Sequence, residues 1–540
     1  MNPKRKFLFM STLIITLIIS LIPLMQQTWA TGYDPKFHIA RLQTLAHNLQ
    51  AGHFPNPIGF EYLHTLGYGV GFFYSNFFLY PFAILVALGC GVVKVYLAMI
   101  IIISILAIIT ITWTTNELFH NYYANLLAAP LYLLSNYYLT ALYTRTAIGE
   151  GWALVFIPLV ILSLEKIRQN QLQFKFLLAG SMSALLLSHI LTFLLACAYV
   201  LLFSLLNLWH NAQSRNLIKA LCQSAAWALG LCAAFLLPFI QQYTAQKYTD
   251  TTRANDGSYQ IIHNDFTLSS VFSTLFILFL LCSIYLIYQQ VQHRLTARFL
   301  DQIAIIAGIL TIFIYSNFLI RVAVKLFQPI VLLQTVIRFN TLILPLEVLV
   351  VAGVAGQIIA QQRQQGGILG GIFVLIVGYF FLVPVTNNYQ FYQQRKALIP
   401  ADFSQEYSIS MGEYQPAKLN AWRMQLSHDP TPSEIARHNH YRILQNNPEQ
   451  LLIQTTSSAA GKTIELPRTA YRGYRYQIPQ QKSQEAQFSN HGLLAIEIPP
   501  HRQALQIKIF YQPTKLALLG AVLSSVTSGF FLYCILRRKV

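Results

Sequence analysis

The stretch "ALYTRTAIGEGWALVFIPLVILSLEKIRQ", residues 141–169, sets the orientation of everything around it. It opens as a polar turn carrying Arg145 and Glu150, runs through an uncharged apolar segment, and closes on Lys166 and Arg168. About 20 apolar residues in a helix cross a bilayer, and Lys/Arg in short loops mark the cytoplasmic side. Lys166, Arg168 and nearby Lys175 therefore place the end of the segment inside. The turn at 141–151 is then outside.

The rest of the chain extends this pattern. Its 540 residues are 55% hydrophobic and 10% charged, with mean hydropathy +0.47. Soluble domains carry about 25% charged residues, so the composition defines a polytopic α-helical membrane protein. The net charge of +18 comes largely from loops between apolar runs, where it sets topology. No nucleic-acid partner is expected. The six cysteines lie in or beside apolar runs and form no CxxC pair, so neither a disulfide framework nor a metal site is indicated.

Further inside loops are marked by Arg215-Lys219, His293-Arg294-Arg298, Arg363 and Arg537-Arg538-Lys539. They place crossings near 176–189, 190–209, 219–240, 271–290, 301–320, 330–357, 368–386 and 516–536. The apolar stretch from Phe174 to Trp209 is too long for one crossing and is split at Ser188-His189. Helices near 124–141 and 150–165 form a pair. At the N-terminus, Lys4-Arg5-Lys6 precede an apolar run from Phe7 to Met25, and "TWA" precedes Thr31. This looks like a signal peptide, but the run is long enough to span and is read as an uncleaved helix. Phe77–Cys90 is short and interrupted by Pro81, so it is read as a helix dipping into the outer face. The result is about twelve transmembrane helices with both termini cytoplasmic.

Three parts follow: a transmembrane domain over 1–386 with a first outer loop at 31–91, an extracytoplasmic domain over 387–515, and a last helix with a basic tail over 516–540. A shorter outer segment covers 241–270. Within 387–515 the first half is irregular, with a helical hint in "SEIARHNHYRIL". The second half alternates as strands do, in "QLLIQTTSS", "KTIELPRTAYRGYRYQI", "LLAIEIP" and "ALQIKIFYQ". It reads as a small β-rich domain tethered at both ends. No internal repeat is visible.

Several polar residues map to the outer face under a topology built from other residues. In "TGYDPKFHIARL", Asp34-Pro35 signals a helix start, Ile39, Leu42, Leu45, Ala46 and Leu49 follow at helical spacing, and Gly52 supplies the stop. Asp34 is a cap or a base at the membrane surface. His38, one turn on, faces the same side, as an acid–base partner would and as a solvated polar face would. Arg145 and Glu150 are either a functional pair or an ion pair holding the hairpin. His189, beside Ser188, is a structural or a functional histidine. Arg338, in "LLQTVIRFNTLILPL", either binds a lipid phosphate or snorkels to the headgroups. Carboxylates, histidines and arginines at this level suit a phosphate-bearing lipid and a polar co-substrate. Tyr471, Tyr474 and Tyr476 either stack on a glycan or are half-buried strand aromatics.

The stretches "YDPKFHIARLQTLAHNLQAGHFP", "LGYGVGFFYSNFFLYPFA", "LYTRTAIGEGWALVFIPLVIL", "LLLSHILTFLLA" and "LPRTAYRGYRYQI…GLLAIEIPP…IKIFYQPTKLALLG" carry a resemblance that spans most of the chain. It is to the GT-C superfamily of multi-span glycosyltransferases using polyprenyl-phosphate sugars. Within it, the chain resembles a bacterial group labelled "6-pyruvoyl-tetrahydropterin synthase-related" membrane domain, allied to YfhO-like proteins. The pterin label is not chemistry here, because no zinc-binding histidine cluster is present.

The resemblance implies a GT-C-like fold in a bacterial cytoplasmic membrane. It implies sugar transfer, with inversion, from a polyprenyl-phosphate carrier to an envelope glycan, lipid or polymer on the outer face. By position Asp34 is the base at the acceptor. Arg145, His38 and Arg338 would stabilise the departing phosphate, and Glu150 would orient Arg145 or bind sugar hydroxyls. Many relatives carry paired acids in this loop. Here Pro35 follows Asp34 and the next acid is Glu61, which leaves the single base and any divalent cation open. The alternative is a non-catalytic protein with the same fold, a lipid-linked glycan transporter or envelope assembly factor. A transporter is expected to line a mid-membrane path with polar groups, whereas these gather at one face. A third reading places envelope binding in residues 387–515.

Overall fold

The computed structural model describes residues 2–25, 34–208, 214–249, 274–292, 298–333, 335–361, 413–500 and 504–537, with the single positions 378, 385 and 386. The expected crossing near 368–386 lies almost entirely outside these residues. So do "TWA", the start of the first outer loop at Thr31, most of 241–270, residues 387–412, and the markers His293, Arg294, Arg363, Arg538 and Lys539. The described chain is mostly helical, with a β region near its C-terminal end.

Among the described residues six helices are long and apolar enough to cross a membrane: Val92–Phe119, Ile148–Arg168, Ile190–Asn207, Arg298–Tyr315, Val336–Gln361 and Lys515–Leu536. There are seven if Arg215–Leu231 and Ala233–Ala245 count as one broken span. The break at Ser188-His189 is present, between helices Lys175–Ser188 and Ile190–Leu208. The expected dipping segment contains one short helix, Tyr80–Ala87.

Other boundaries differ from expectation, each for a local reason. The helix expected over 124–141 stops at Leu133. There the Ser135 hydroxyl accepts the Tyr138 N–H and donates to the Tyr132 carbonyl, competing with the helical ladder. A one-turn helix Asn136–Leu139 and a wide π-type turn Thr140–Thr144 follow. The 301–320 span ends at Tyr315, because Ser316 caps a separate helix, Asn317–Leu326. The 330–357 span begins as two 3₁₀ turns before the helix Asn340–Gln361. "SEIARHNHYRIL" is a helix only over Pro432–His438. His440, at φ +58°, then turns the chain into a strand.

The chain forms two compact units. The first comprises Met1–Pro35, Leu97–Ala228 and Gly257–Ile399. Its centre is Ile148–Arg168, with 94% of its apolar window buried, beside Val336–Gln361 with 83%. Asn340–Gln361 approaches Tyr122–Leu133 so closely that a Cβ on Gly356 would lie 2.7 Å from the Ala124 backbone nitrogen. Lys166 pairs with Glu117 at 3.2 Å and Arg168 with Glu165 at 2.6 Å.

The second unit comprises Lys36–Tyr96, Leu229–Asp256 and Pro400–Val540. Its strands are β1 (Tyr441–Asn446), β2 (Leu451–Thr455), β3 (Thr463–Thr469), β4 (Tyr474–Gln477), β5 (Gln484–Glu485), β6 (Gln487–Phe488), β7 (Leu493–Glu497) and β8 (Gln506–Tyr511). They make two antiparallel sheets, ordered β1-β2-β8-β4-β5 and β3-β7-β6. Ile453, Leu466, Leu494, Ile507 and Ile509 fill the core, joined by Phe72 and Phe73 of the first outer loop. Tyr471, Tyr474 and Tyr476 belong to this core as well, so they are buried strand-region aromatics rather than a stacking surface.

The same loop is tied to the sheets through polar groups. Leu63, His64 and Thr65 all have positive φ. Arg468 donates to the Thr65 carbonyl at 3.1 Å, Asn446 to the Thr65 hydroxyl at 2.8 Å, and the Thr469 hydroxyl to the Gly67 carbonyl at 2.6 Å.

The expected 219–240 crossing is two helices, Ser214–Leu231 and Ala233–Ala245, broken at Cys232. The Ser524 hydroxyl serves the groups freed by the break. It accepts the Ala234 N–H at 2.8 Å and lies 3.1 and 3.0 Å from the Gly230 and Leu231 carbonyls. An inserted side chain is a standard cause of such kinks. On the same helix a Cβ at Gly520 would lie 2.5 Å from the Ala233 carbonyl oxygen, so the two helices meet through small residues. Ser524→Ala leaves those backbone groups unserved and is expected to cost about 1–3 kcal/mol, read as earlier thermal unfolding of the solubilised protein.

In the same unit the Thr431 backbone N–H, the His428 ring and the Thr431 hydroxyl hold the exposed Glu434 carboxyl down to about 2, against its ordinary 4.5. A depressed carboxylate contributes stability that is complete above its unfolded pKa and is lost as pH falls through the folded one. Glu434→Gln is therefore expected to lower stability at neutral pH and to flatten the acid limb of the unfolding profile between about pH 4.5 and pH 2, so that variant and wild type converge below it.

Candidate functional site

The site lies in the first unit and is built on the broken segment 134–147. The π-type turn Thr140–Thr144 ends with the Arg145 N–H donating to the Thr140 carbonyl at 2.8 Å. Thr146, at φ +54°, reverses the chain. Helix Ile148–Arg168 then begins with Glu150 in its first turn, where a carboxylate is favoured by the helix dipole. Wide turns of this kind recur at functional sites.

Glu150 is fully buried. Arg145 grips it with both terminal nitrogens, Nη1 to Oε2 at 2.6 Å and Nη2 to Oε1 at 2.8 Å. The Tyr137 hydroxyl donates to Oε2 at 2.9 Å. Arg338, in the 3₁₀ turn Val336–Phe339, brings Nε to 3.2 Å from Oε1. That approach is a charge contact without the alignment of a hydrogen bond. One carboxylate thus serves two guanidiniums, and the three groups together carry one net positive charge. Burial works against the charge on Arg145, but Glu150, with Tyr137 and Asp34, outweighs it, so the guanidinium pKa is raised above its ordinary value.

Asp34 reaches this cluster through its backbone. Its N–H lies 3.1 Å from the Arg145 carbonyl and 3.3 Å from the Thr146 hydroxyl. Helix Pro35–Gln50 starts directly after it, as the Asp-Pro pair predicts. His189 lies at the break between two helices, where Nδ1 accepts the Thr192 N–H at 3.3 Å and contacts the Thr192 hydroxyl at 2.8 Å. Glu150, Arg338 and Arg145 are the charges that act on its ring.

His38 belongs to the second unit. It is buried, edge-on to Phe37 and Tyr74 at ring-centroid distances of 5.2 and 6.0 Å. Glu61, also in that unit, is engaged by the His47 ring at 2.8 Å and the Thr44 hydroxyl at 3.3 Å. Among the described residues no group of three or more His, Cys, Asp or Glu is placed to hold a metal ion. No step is routed through a divalent cation.

Two residues of this region were not singled out by sequence reasoning. Tyr137 is silent in sequence because it lies in a run of aromatics. Glu347, in helix Asn340–Gln361, is a lone carboxyl in an apolar run, and that rarity is itself the signal that marks it.

No protein-family model and no curated protein matches the chain. Solved structures that resemble it include the Archaeoglobus fulgidus oligosaccharyltransferase in its apo form, at 13% identity over 83% of this chain and 61% of that one, with TM-score 0.42. The same enzyme tethered to an acceptor peptide containing the NVT sequon gives 14%, 80%, 59% and 0.43. A mutant form of the mycobacterial arabinofuranosyltransferase AftD gives 13%, 73%, 28% and 0.46. The chain thus spans less than two thirds of each. At these TM-scores the likenesses assign neither fold family nor activity.

Proposed function

We propose that this protein is a glycosyltransferase of the bacterial cytoplasmic membrane. It would move a sugar from a polyprenyl-phosphate donor to an envelope glycan, lipid or polymer on the outer face. The reaction class rests on the resemblance of its sequence to GT-C enzymes. The observation that carries the site is the Arg145–Glu150–Arg338 cluster, a net positive charge to which the Asp34 backbone is tied. In this reading the acceptor hydroxyl oxygen attacks the anomeric carbon and its proton passes to the Asp34 carboxylate. The bond from that carbon to the phosphate oxygen breaks, and the electron pair leaves with the lipid phosphate. Arg338 and Arg145 face the charge that develops there.

One observation favours a second, non-catalytic reading. Both terminal nitrogens of Arg145 are already committed to Glu150, as in a pair whose work is to hold the hairpin. The two readings separate in cells deleted for the native copy. Restoring the chain should restore a missing envelope glycan, and the purified protein should transfer label from a polyprenyl-phosphate sugar to envelope extracts. Restoration without any transfer supports the second reading. Cysteine-accessibility mapping that puts residue 145 on the cytoplasmic side sinks the first.

A further inference from the structure

A cavity of about 70 Å³ opens inside the first unit, between the broken segment 134–147 and helix Asn340–Gln361. At about 10–15 Å³ per water centre it has room for roughly five waters. Five waters occupy about 150 Å³ of liquid, the bulk of one monosaccharide ring. Glu347 lines it with only 6% of its surface exposed. No hydrogen bond or ion pair engages this carboxyl among the described residues. The side chains of Asn136, Thr140 and Asn340 also line the cavity and are likewise without a hydrogen-bond partner there. Apolar side chains share the lining, Phe276, Ile337 and Leu344 among them.

Buried polar groups in native proteins are almost always satisfied. An unpaired carboxyl in an apolar helix is costly and marks function. Here the buried Glu347 and the half-buried Asn136, Thr140 and Asn340 converge on one space, so a polar occupant accounts for all of them together. A bare cation fits poorly. Among the described residues Glu347 is the sole carboxylate lining the cavity, and the positive Arg145–Glu150–Arg338 cluster adjoins it. Tyr137 lines the cavity and donates to Glu150, and Ile337 lines it next to Arg338. A ring that carries both hydroxyls and C–H groups matches a lining in which two amides, a hydroxyl and a carboxyl stand among apolar side chains.

We propose that this cavity is the subsite for the sugar of a lipid-phosphate ligand, with Glu347, Asn136, Asn340 and Thr140 binding its hydroxyls while the phosphate lies at Arg338 and Arg145. The proposal rests on the reading given above for the cluster. It adds which residues select the sugar.

The test uses purified full-length protein in lipid nanodiscs. Binding of bare polyprenyl phosphate is compared with a panel of polyprenyl-phosphate monosaccharides. In the wild type at least one sugar should bind about tenfold tighter than the bare lipid. Glu347→Leu and Asn340→Leu should remove that gain and leave bare-lipid affinity unchanged, whereas Arg338→Ala should weaken both. Glu347→Leu removes an unpaired buried carboxyl, so its unfolding temperature should not fall. A second measurement needs no phosphate. Labelling of Glu347 by a hydrophobic carbodiimide is followed by mass spectrometry with free monosaccharides present, and one of them should protect it. If the bare lipid does not bind but a sugar protects Glu347, the cluster reading fails and the subsite stands. If no sugar protects Glu347, or Glu347→Leu keeps the sugar preference, the subsite is overturned.

Discussion

Asp34→Asn is expected to lower sugar transfer by about 100- to 10,000-fold, the usual worth of a positioned general base. Membrane levels and unfolding temperature should stay normal. Asparagine caps helices as well as aspartate does, so the start of helix Pro35–Gln50 is kept. Two contacts that hold residue 34 to the cluster come from its backbone N–H, to the Arg145 carbonyl and Thr146 hydroxyl, and no side-chain change removes these. What disappears is the proton acceptor, together with the negative charge that acts on Arg145. The measurement is transfer of labelled sugar by purified variant and wild type at matched protein levels. Full activity would falsify the assignment of Asp34 as base.

Glu150→Gln is expected to be the most destabilising single change in the first unit. Glu150 is fully buried and answers two guanidiniums and a tyrosine hydroxyl. Removing one member of a buried ionic group strands the others and typically costs about 3–5 kcal/mol. The variant should be depleted from membranes and unfold early. Adding Arg338→Met takes away one stranded cation and should recover part of the loss, a non-additivity that a double-mutant cycle measures. Arg338→Ala alone leaves the bidentate Arg145–Glu150 pair closed. It should unfold near the wild-type temperature yet transfer about 100- to 1,000-fold more slowly, as when one stabiliser of developing charge is removed. If its activity falls only in step with its stability, Arg338 is structural.

Much of this was legible in the sequence, because local rules wrote it. Basic loops and apolar length located the hairpin around Arg145 and Glu150. The polar Ser188-His189 step marked a true helix break. Period-two alternation located β2, β3, β7 and β8. Arg145, Glu150 and Arg338 were each noticed as charges in apolar surroundings, and they do meet.

What escaped is non-local. The break at Cys232 has no proline at the kink and depends on Ser524, almost 300 positions further on. The stop at Leu133 turns on one serine hydroxyl competing with the helix. The docking of Phe72 and Phe73 into the β core leaves no trace in either segment taken alone. Glu347 was overlooked because the run around it reads as uniformly apolar, although a single acid there is the more informative letter.

The hydroxyl of Ser524 also bears on how the protein is made. Residues 229–245 leave the ribosome well before Ser524. At about 5–20 residues per second the interval is on the order of tens of seconds. Until then the Ala234 N–H and the Gly230 and Leu231 carbonyls lack the group that serves them in the finished chain. The second unit therefore closes only after residue 524 has been made, and helix Lys515–Leu536 acts as a late fastening rather than a passive anchor. Nascent chains arrested before residue 524 should insert normally and yet be cut by protease around residues 229–245, and that sensitivity should vanish once helix Lys515–Leu536 is released.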